Sequence, residues 1–200
     1  MTSLHKDLTT VLSLDLAIRT QRLVLRPFEA SDARRVSYLA GDYEVSKMCG
    51  RVPHPYRLED ARDWIATQGI AADAGEEFRF AITLPRDGLI GSCGVTRMRD
   101  RPGVWELGYW FGLPYWGSGY ASEAAAAVMD WARSDLGATG FVAHVFADNP
   151  GSGRVLGKLG FVREDRVELF ALARQRTGPV ELYVWPAGAV AANDAGETAH

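Results

Sequence analysis

The sequence predicts a mixed α/β domain of the α+β kind, with a mostly antiparallel central sheet of about six to seven strands flanked by helices. Three observations predict it. Strand-like runs joined by turn residues follow one another from Glu77 to Phe111, which is the pattern of an antiparallel meander. Separate segments repeat apolar residues at three-and-four spacing, as helices covering a sheet do. One strand, Val104 to Phe111 (VWELGYWF), ends in a glycine turn that opens at once into a helix, Tyr120 to about Ser134, whose Ala124, Ala125, Val128, Met129 and Ala132 mark one buried face.

In chain order, residues 1–19 form an N-terminal extension. Its Leu8, Val11, Leu12, Leu14 and Leu16 suit a short surface helix or a dimer contact. Gln21 to Arg26 sets Leu23 and Leu25 against Arg22, Val24 and Arg26, a half-exposed first strand that Pro27 ends. Ser31-Asp32 then caps a helix to about Ala40. Gly41 to Tyr56, with Tyr43, Met48, Val52, His54, Tyr56 and two prolines, reads as a loop or a short helix pair. A helix from Leu58 to about Ala72 places Ala61, Trp64, Ile65 and Gln68 at helical spacing. Glu77 to Leu84 and Leu89 to Met98 form a hairpin around Pro85-Arg86-Asp87-Gly88, and Gly91 and Gly94 in its second arm mark a close backbone approach. A strand from Gly140 to Ala147 follows the glycine-turn helix, and another helix opens after Asn149. Strands at about Val162 to Ala173 and Val180 to Trp185 flank a polar turn from Arg174 to Pro179. Residues 20–186 make the domain, and 187–200, rich in Ala, Gly and Asn, read as a disordered tail.

The 200 residues suit one domain, with 47% hydrophobic and 24% charged residues at globular values. A net charge of −3 offers no general attraction to nucleic acid or to anionic lipid. No apolar run approaches the ~20 residues of a membrane span, and no secretory leader is legible. Cys49 and Cys93 have neither metal nor redox spacing, so the expectation is a cytoplasmic protein with two reduced thiols, no metal, and a possible homodimer through exposed aromatics.

The turn Pro114-Tyr115-Trp116-Gly117-Ser118-Gly119 carries the functional signal. The first turn of a helix presents unpaired N–H groups and a partial positive charge, a natural anion site, and glycines let a phosphate approach the main chain. By itself such a turn can also merely connect a strand to a helix. A P-loop is excluded because Gly157-Lys158 runs into Leu159. A dinucleotide fingerprint is excluded because the third glycine is replaced by Ser122.

What remains is Trp116-Gly117-Ser118-Gly119-Tyr120-Ala121, then a strand, then Asn149-Pro150-Gly151-Ser152 and Leu159-Gly160-Phe161. This series resembles the acyl-coenzyme A site of the GNAT acetyltransferase superfamily. Glu106-Leu107-Gly108-Tyr109-Trp110, the Trp116 to Ala125 run, Asn149-x-x-Ser152 and Arg22-Leu23-Val24-Leu25-Arg26-Pro27 resemble its branch that acetylates ribosomal-protein N-termini. The resemblance covers roughly residues 20 to 185.

The resemblance implies an acetyl-CoA-dependent transferase that attacks the thioester directly with a primary amine. Pyrophosphate would sit on the N–H groups of Gly117, Ser118, Gly119, Tyr120 and Ala121, with Trp116 at the cofactor site where many relatives have Arg or Gln, which removes one side-chain contact to phosphate. The Glu106 to Phe111 strand would bulge at Gly108 and splay from the Gly140 to Ala147 strand, opening a slot for pantetheine, while N–H groups of Tyr109, Trp110 and Phe111 polarise the thioester. Glu106 is the candidate general base, against the alternative of an outward strand residue paired with a surface arginine. The tyrosine that many relatives use to protonate the thiolate is Leu156 here, so Ser152 is the candidate donor unless it simply caps its helix, and Asn149 binds pantetheine or the local turn. Tyr43, His54 and Tyr56 are candidate acceptor contacts, since the family walls its acceptor site with this region, unless His54 is simply a loop histidine in its proline-rich turn. His144 reads as a hydrogen-bonded sheet histidine sharing a face with Val142 and Phe146. The acceptor is a protein N-terminal amine by the branch resemblance, or a small amine such as an aminoglycoside or polyamine. A non-catalytic acyl-CoA-binding sensor is the alternative of a different class.

Overall fold

One sheet of eight strands forms among the described residues, 17–186 of the computed structural model. The strands are β1 (Ile18–Arg19), β2 (Val24–Arg26), β3 (Glu77–Leu84), β4 (Gly88–Arg97), β5 (Val104–Phe111), β6 (Gly140–Phe146), β7 (Val162–Ala171) and β8 (Arg176–Trp185). Their order is β1-β2-β3-β4-β5-β6-β8-β7, and every neighbouring pair is antiparallel except β5 and β6. The fold is thus the mostly antiparallel α/β sheet that the sequence predicts, with more strands because the two residues of β1 fold back on β2. The leucine-rich stretch Leu8 to Leu16 and the tail from 187 lie outside the described residues.

Helices α1 (Ala33–Ala40), α2 (Tyr43–Ser46), α3 (Leu58–Asp73), α4 (Tyr120–Asp135) and α5 (Pro150–Lys158) complete the domain. The small residues of α4 let it lie close against one face, where Ala124, Ala125, Val128 and Ala132 pack on Leu23, Leu25, Phe80, Leu107 and Phe141. Helices α1 and α3 cover part of the other face, burying Val36, Leu39, Ala61 and Ile65 against Ala81 and Leu89. At the start of α3, Asp60 accepts the Arg57 N–H at 2.7 Å and offers negative charge to the helix N-terminus.

Two boundaries differ from the sequence reading for identifiable reasons. The strand expected from Gln21 is β2, and it begins at Val24 because the Arg22 N–H bonds the Glu123 carboxylate at 2.9 Å instead of a ladder carbonyl. The last hairpin turns through residues 172–175, with Gln175 at φ 52°, so the residues around Gly178 and Pro179 belong to β8 and not to a loop.

The expected bulge at Gly108 is absent. Pairing of β4 with β5 runs in unbroken register from Gly91 opposite Phe111 to Arg97 opposite Trp105. Gly108 instead makes room for Arg79, whose Nη1 would stand 2.8 Å from a Cβ there and which donates to the Gly108 carbonyl at 3.0 Å.

Candidate active site

Strands β5 and β6 pair only where Val104, Trp105 and Glu106 meet Gly140, Phe141 and Val142; beyond that point they separate. The backbone at the split follows from alternation along a strand. Gly112 N–H donates to the Ile90 carbonyl and Met98 N–H to the Val104 carbonyl, which assigns the even-numbered residues of β5 to the ladder with β4. Leu107, Tyr109 and Phe111 therefore turn their N–H groups towards the split, and the Trp110 N–H belongs to the β4 ladder. On β6, Gly140 N–H reaches back to Gly103 and Ala147 N–H goes to Pro179 in β8, so His144 faces the split from the other side. An extended ligand could add to either row as another strand would.

At one end of the split stands the glycine turn. A 3-10 turn at Leu113–Tyr115 leads out of β5, and Trp116 folds back to donate its indole N–H to the Phe111 carbonyl at 2.7 Å. Gly117 and Gly119 have φ of 74° and 81°, a region that a side chain disfavours. Gly119 is the N-cap of α4 and carries no side-chain cap, so the first-turn N–H groups stay open to an anion. Arg22 clamps the turn from the bend just before β2. Its guanidinium donates to the Ser118 carbonyl at 2.9 Å, meets Glu123 at 2.6 Å and lies 4.6 Å over the Tyr120 ring. Burial would raise the Glu123 carboxyl, but hydrogen bonds from Thr20 and Arg22 outweigh it and hold the group below its usual range.

On the α4 face, Tyr109 reaches across to α5 and its hydroxyl lies 2.8 Å from Ser152 Oγ. Ser152 does not cap its helix, because Asn149 does so, its Oδ1 accepting the Ser152 N–H at 3.1 Å. Leu156 is fully buried in the core, and the hydroxyls of Tyr109 and Ser152 meet near this part of the split, with the Tyr183 hydroxyl beside Gly153 on the same helix. Burial raises the Tyr109 phenol, which therefore stays protonated at neutral pH.

On the opposite face, Glu106 pairs with His144 rather than with a surface arginine: Nδ1–H donates to Oε1 at 2.8 Å. That hydrogen bond holds the Glu106 carboxyl below the ordinary carboxylate range despite burial, with Arg79 and Arg51 adding to it. Next to it, Arg79 Nε meets Glu77 at 2.8 Å, and Arg51 joins the same carboxylate from the stretch between α2 and α3 at 3.2 Å. The sequence reading separated these groups. From sequence alone His144 reads as a hydrogen-bonded sheet histidine, Arg22 enters only as part of a strand motif, and Arg51 and Arg79 have no assigned role. A histidine two residues past a carboxylate's pairing position on the neighbouring strand was the available signal, but it needs the β5–β6 register, which no local pattern supplies.

Of the acceptor candidates, Tyr43 and His54 pack edge to face at 5.1 Å on the outside, while Tyr56 turns inward against the α1–α3 cluster, its phenol pushed up by burial to about 12. None of the three hydrogen-bonds Glu106. Their segment is tied instead to the β7–β8 turn, where Leu172 N–H donates to the Gly50 carbonyl at 3.1 Å. Arg174 adds donations to the Lys47 carbonyl and to both oxygens of Asp148. Among the described residues no group of three potential ligands gathers for a metal, and no helix is long and apolar enough to cross a membrane.

This combination of a split sheet, an uncapped helix behind left-handed glycines and ionisable groups at the mouth defines an acyl-transfer fold. Residues 22–162 match the acetyltransferase (GNAT) domain family. The chain is 30% identical over 167 residues to the uncharacterized N-acetyltransferase p20 of Bacillus licheniformis, spanning 83% of this chain and 92% of that one. Its fold is similar to that of a ribosomal-protein-S5-alanine acetyltransferase from Vibrio fischeri, with a TM-score of 0.73 at 18% identity over 85% of this chain and 96% of that one. It is also similar to Mycobacterium smegmatis RimJ in complex with CoA-disulfide, with a TM-score of 0.71 at 20% identity over 81% and 80%. The chain belongs to the GNAT acetyltransferase family and is an N-acetyltransferase.

Proposed function

We propose that this enzyme transfers the acetyl group of acetyl-CoA to a protein N-terminal amine by direct attack on the thioester. The observation that carries the reading is the β5–β6 split, with uncapped N–H groups behind Gly117 and Gly119 at one end and the ionised Glu106 at the other face. Pyrophosphate fits the first turn of α4, at Gly119, Tyr120 and Ala121, with the Gly117-Ser118 turn and Trp116 beside it. Pantetheine fits the open strand edges, and the N–H groups of Tyr109 and Phe111 are the donors available to a thioester oxygen. Asn149 serves this site by fixing the start of α5.

Glu106 attracts the acceptor ammonium and assists its deprotonation. The Tyr109–Ser152 pair lies on the coenzyme side, where a leaving thiolate needs a proton. A protein N-terminus as acceptor draws support from the ribosomal-protein acetyltransferases that share the fold.

The test is calorimetric titration with acetyl-CoA and with free coenzyme A, followed by thiol release across peptides beginning with Ala or Ser, aminoglycosides and polyamines. Binding with turnover on the peptides supports the reading. Turnover only on small amines moves the acceptor to that class, and binding without turnover on any amine favours a sensor.

A further inference from the structure

We propose that the group taking the proton from the acceptor ammonium is His144, with Glu106 as its positioning residue; this rests on the amine-acetylating reading above. His144 lies two residues beyond Val142, the last β6 residue paired with β5, and on the same face as Glu106, so the imidazole spans the point where the sheet opens. Its Nδ1 and Glu106 Oε1 are 2.8 Å apart. An ionised carboxylate only accepts hydrogen bonds, so the shared hydrogen is on Nδ1 and the lone pair is on Nε2. Nε2 has no hydrogen-bond partner among the described residues, and the ring is 25% exposed. One nitrogen is therefore fixed from inside and the other is available at the mouth.

Chemistry favours the imidazole over the carboxylate for this role. A proton acceptor works best when its basicity approaches that of the donor at the operating pH. Glu106 has been driven the other way, below its ordinary range, by the contact with His144 and by Arg79 and Arg51. The surroundings decide the charge balance. Arg79 and Arg51 are both paired with Glu77, while Val142 and Leu182 are the apolar neighbours on β6 and β8. Arg174 and Asp148 pair with each other further along, over Phe146. Glu106 is thus the anion in contact with an imidazolium at position 144.

The acceptor R–NH3+ gives one proton to Nε2, and Glu106 stabilises the resulting imidazolium. The freed lone pair forms the C–N bond at the thioester carbonyl, and the C–S bond breaks with its electrons going to sulfur. A second nitrogen proton goes to the thiolate, and the imidazolium returns its proton to solvent. The products are amide, thiol and one released proton.

The experiment is kcat/KM for a turned-over peptide across pH 5.5–9 in the wild type, His144→Gln, His144→Ala and Glu106→Gln, with calorimetric coenzyme A binding as the independent check on folding and site integrity. His144→Gln is expected to lose about a hundredfold in kcat, to lose the acid limb of the profile and to bind coenzyme A as the wild type does. Glu106→Gln is expected to keep an acid limb and to lose less kcat than His144→Gln, because the imidazole is still present but is no longer held by the carboxylate. Added imidazole restores part of the activity of His144→Ala. The proposal is overturned if His144→Gln keeps the wild-type acid limb and most of its kcat while Glu106→Gln loses both. A wild type that turns over no amine defeats the acetylation reading itself, and this inference with it, before any variant is compared.

Discussion

Tyr109 on β5 and Ser152 on α5 meet hydroxyl to hydroxyl at 2.8 Å, joining the two sides of the sheet where β5 and β6 have already parted. One hydrogen serves both oxygens. If the pair delivers a proton to the departing sulfur, it acts as a unit, and units give non-additive losses. Ser152→Ala and Tyr109→Phe are each expected to lower kcat about tenfold, at or below the usual range for acid–base help because a thiol leaves readily. The double variant is expected to be no slower than the worse single one. Multiplicative losses in a full double-mutant cycle would show that the two hydroxyls act separately.

The turn before α4 owes its shape to backbone conformation rather than to space. Gly117 has open surroundings and Gly119 has only Arg22 nearby, yet both adopt left-handed φ. An alanine pays about 1–2 kcal/mol in that conformation. Gly119→Ala is therefore expected to weaken coenzyme A binding about tenfold by calorimetry, since the turn must distort or remain strained. Arg22→Ala removes the donor to Ser118 and the partner of Glu123, so it is expected to weaken binding less, with a shallower salt dependence. Unchanged affinity in both variants would remove this turn from the coenzyme site.

Glu77 and Glu106 make the fold lose stability in acid. Burial acts to raise Glu77, but Arg79, Arg51 and Thr96 outweigh it, while the His144 hydrogen bond is the largest influence on Glu106; both carboxyls end below their ordinary range. The unfolded chain then binds more protons in acid than the folded one. Their contribution is present above the unfolded carboxylate value of about 4.3 and is lost as pH falls through the folded values. Urea midpoints are expected to hold level from these groups between neutrality and about pH 5, and to decline below it. Glu77→Gln is expected to flatten that decline, and an unchanged acid slope would show that the Arg51–Glu77–Arg79 contacts do not persist in solution.

Local chemistry explains why so much of this was legible in the sequence. Alternation in Leu23 and Leu25, the three-and-four spacing on α4 and the glycine turn before Tyr120 each depend on residues close in the chain, and each element forms nearly where that pattern places it. The Gly117–Ala121 turn and Glu106, a carboxylate in an apolar strand, could be singled out from such local features, while Tyr109 and Ser152 come from the family resemblance of the motifs that hold them. Their pairings could not. Whether Glu106 meets an arginine or His144 depends on the parallel β5–β6 register, 38 residues apart in the chain. Arg22 at the glycine turn, Arg51 beside Glu77 and Arg174 over Phe146 are likewise contacts between distant elements, for which a single sequence holds no periodicity.

Arg174 offers the last test, because it joins the β7–β8 turn to the segment bearing the acceptor candidates. Its side chain is only 7% exposed, grips Asp148 through both terminal nitrogens at 2.9 Å, bonds the Lys47 carbonyl and lies 4.3 Å over the Phe146 ring. Hydrogen bonds to charged groups contribute about 1.5–3 kcal/mol. Asp148 is exposed enough to regain water once released, so Arg174→Ala is expected to cost about 2 kcal/mol rather than the full penalty of an orphaned buried charge. The local consequence is sharper than the global one. Hydrogen exchange at 47–50 and 172–175 is expected to quicken, with the β4 amides still protected. If the segment between α2 and α3 holds the acceptor, KM for the amine rises severalfold while coenzyme A affinity stays put. Arg174→Lys keeps the charge but cannot span Asp148 and Lys47 together, so it is expected to recover only part of the protection. Full protection in Arg174→Ala would mean that the Leu172–Gly50 backbone bond holds the two segments by itself.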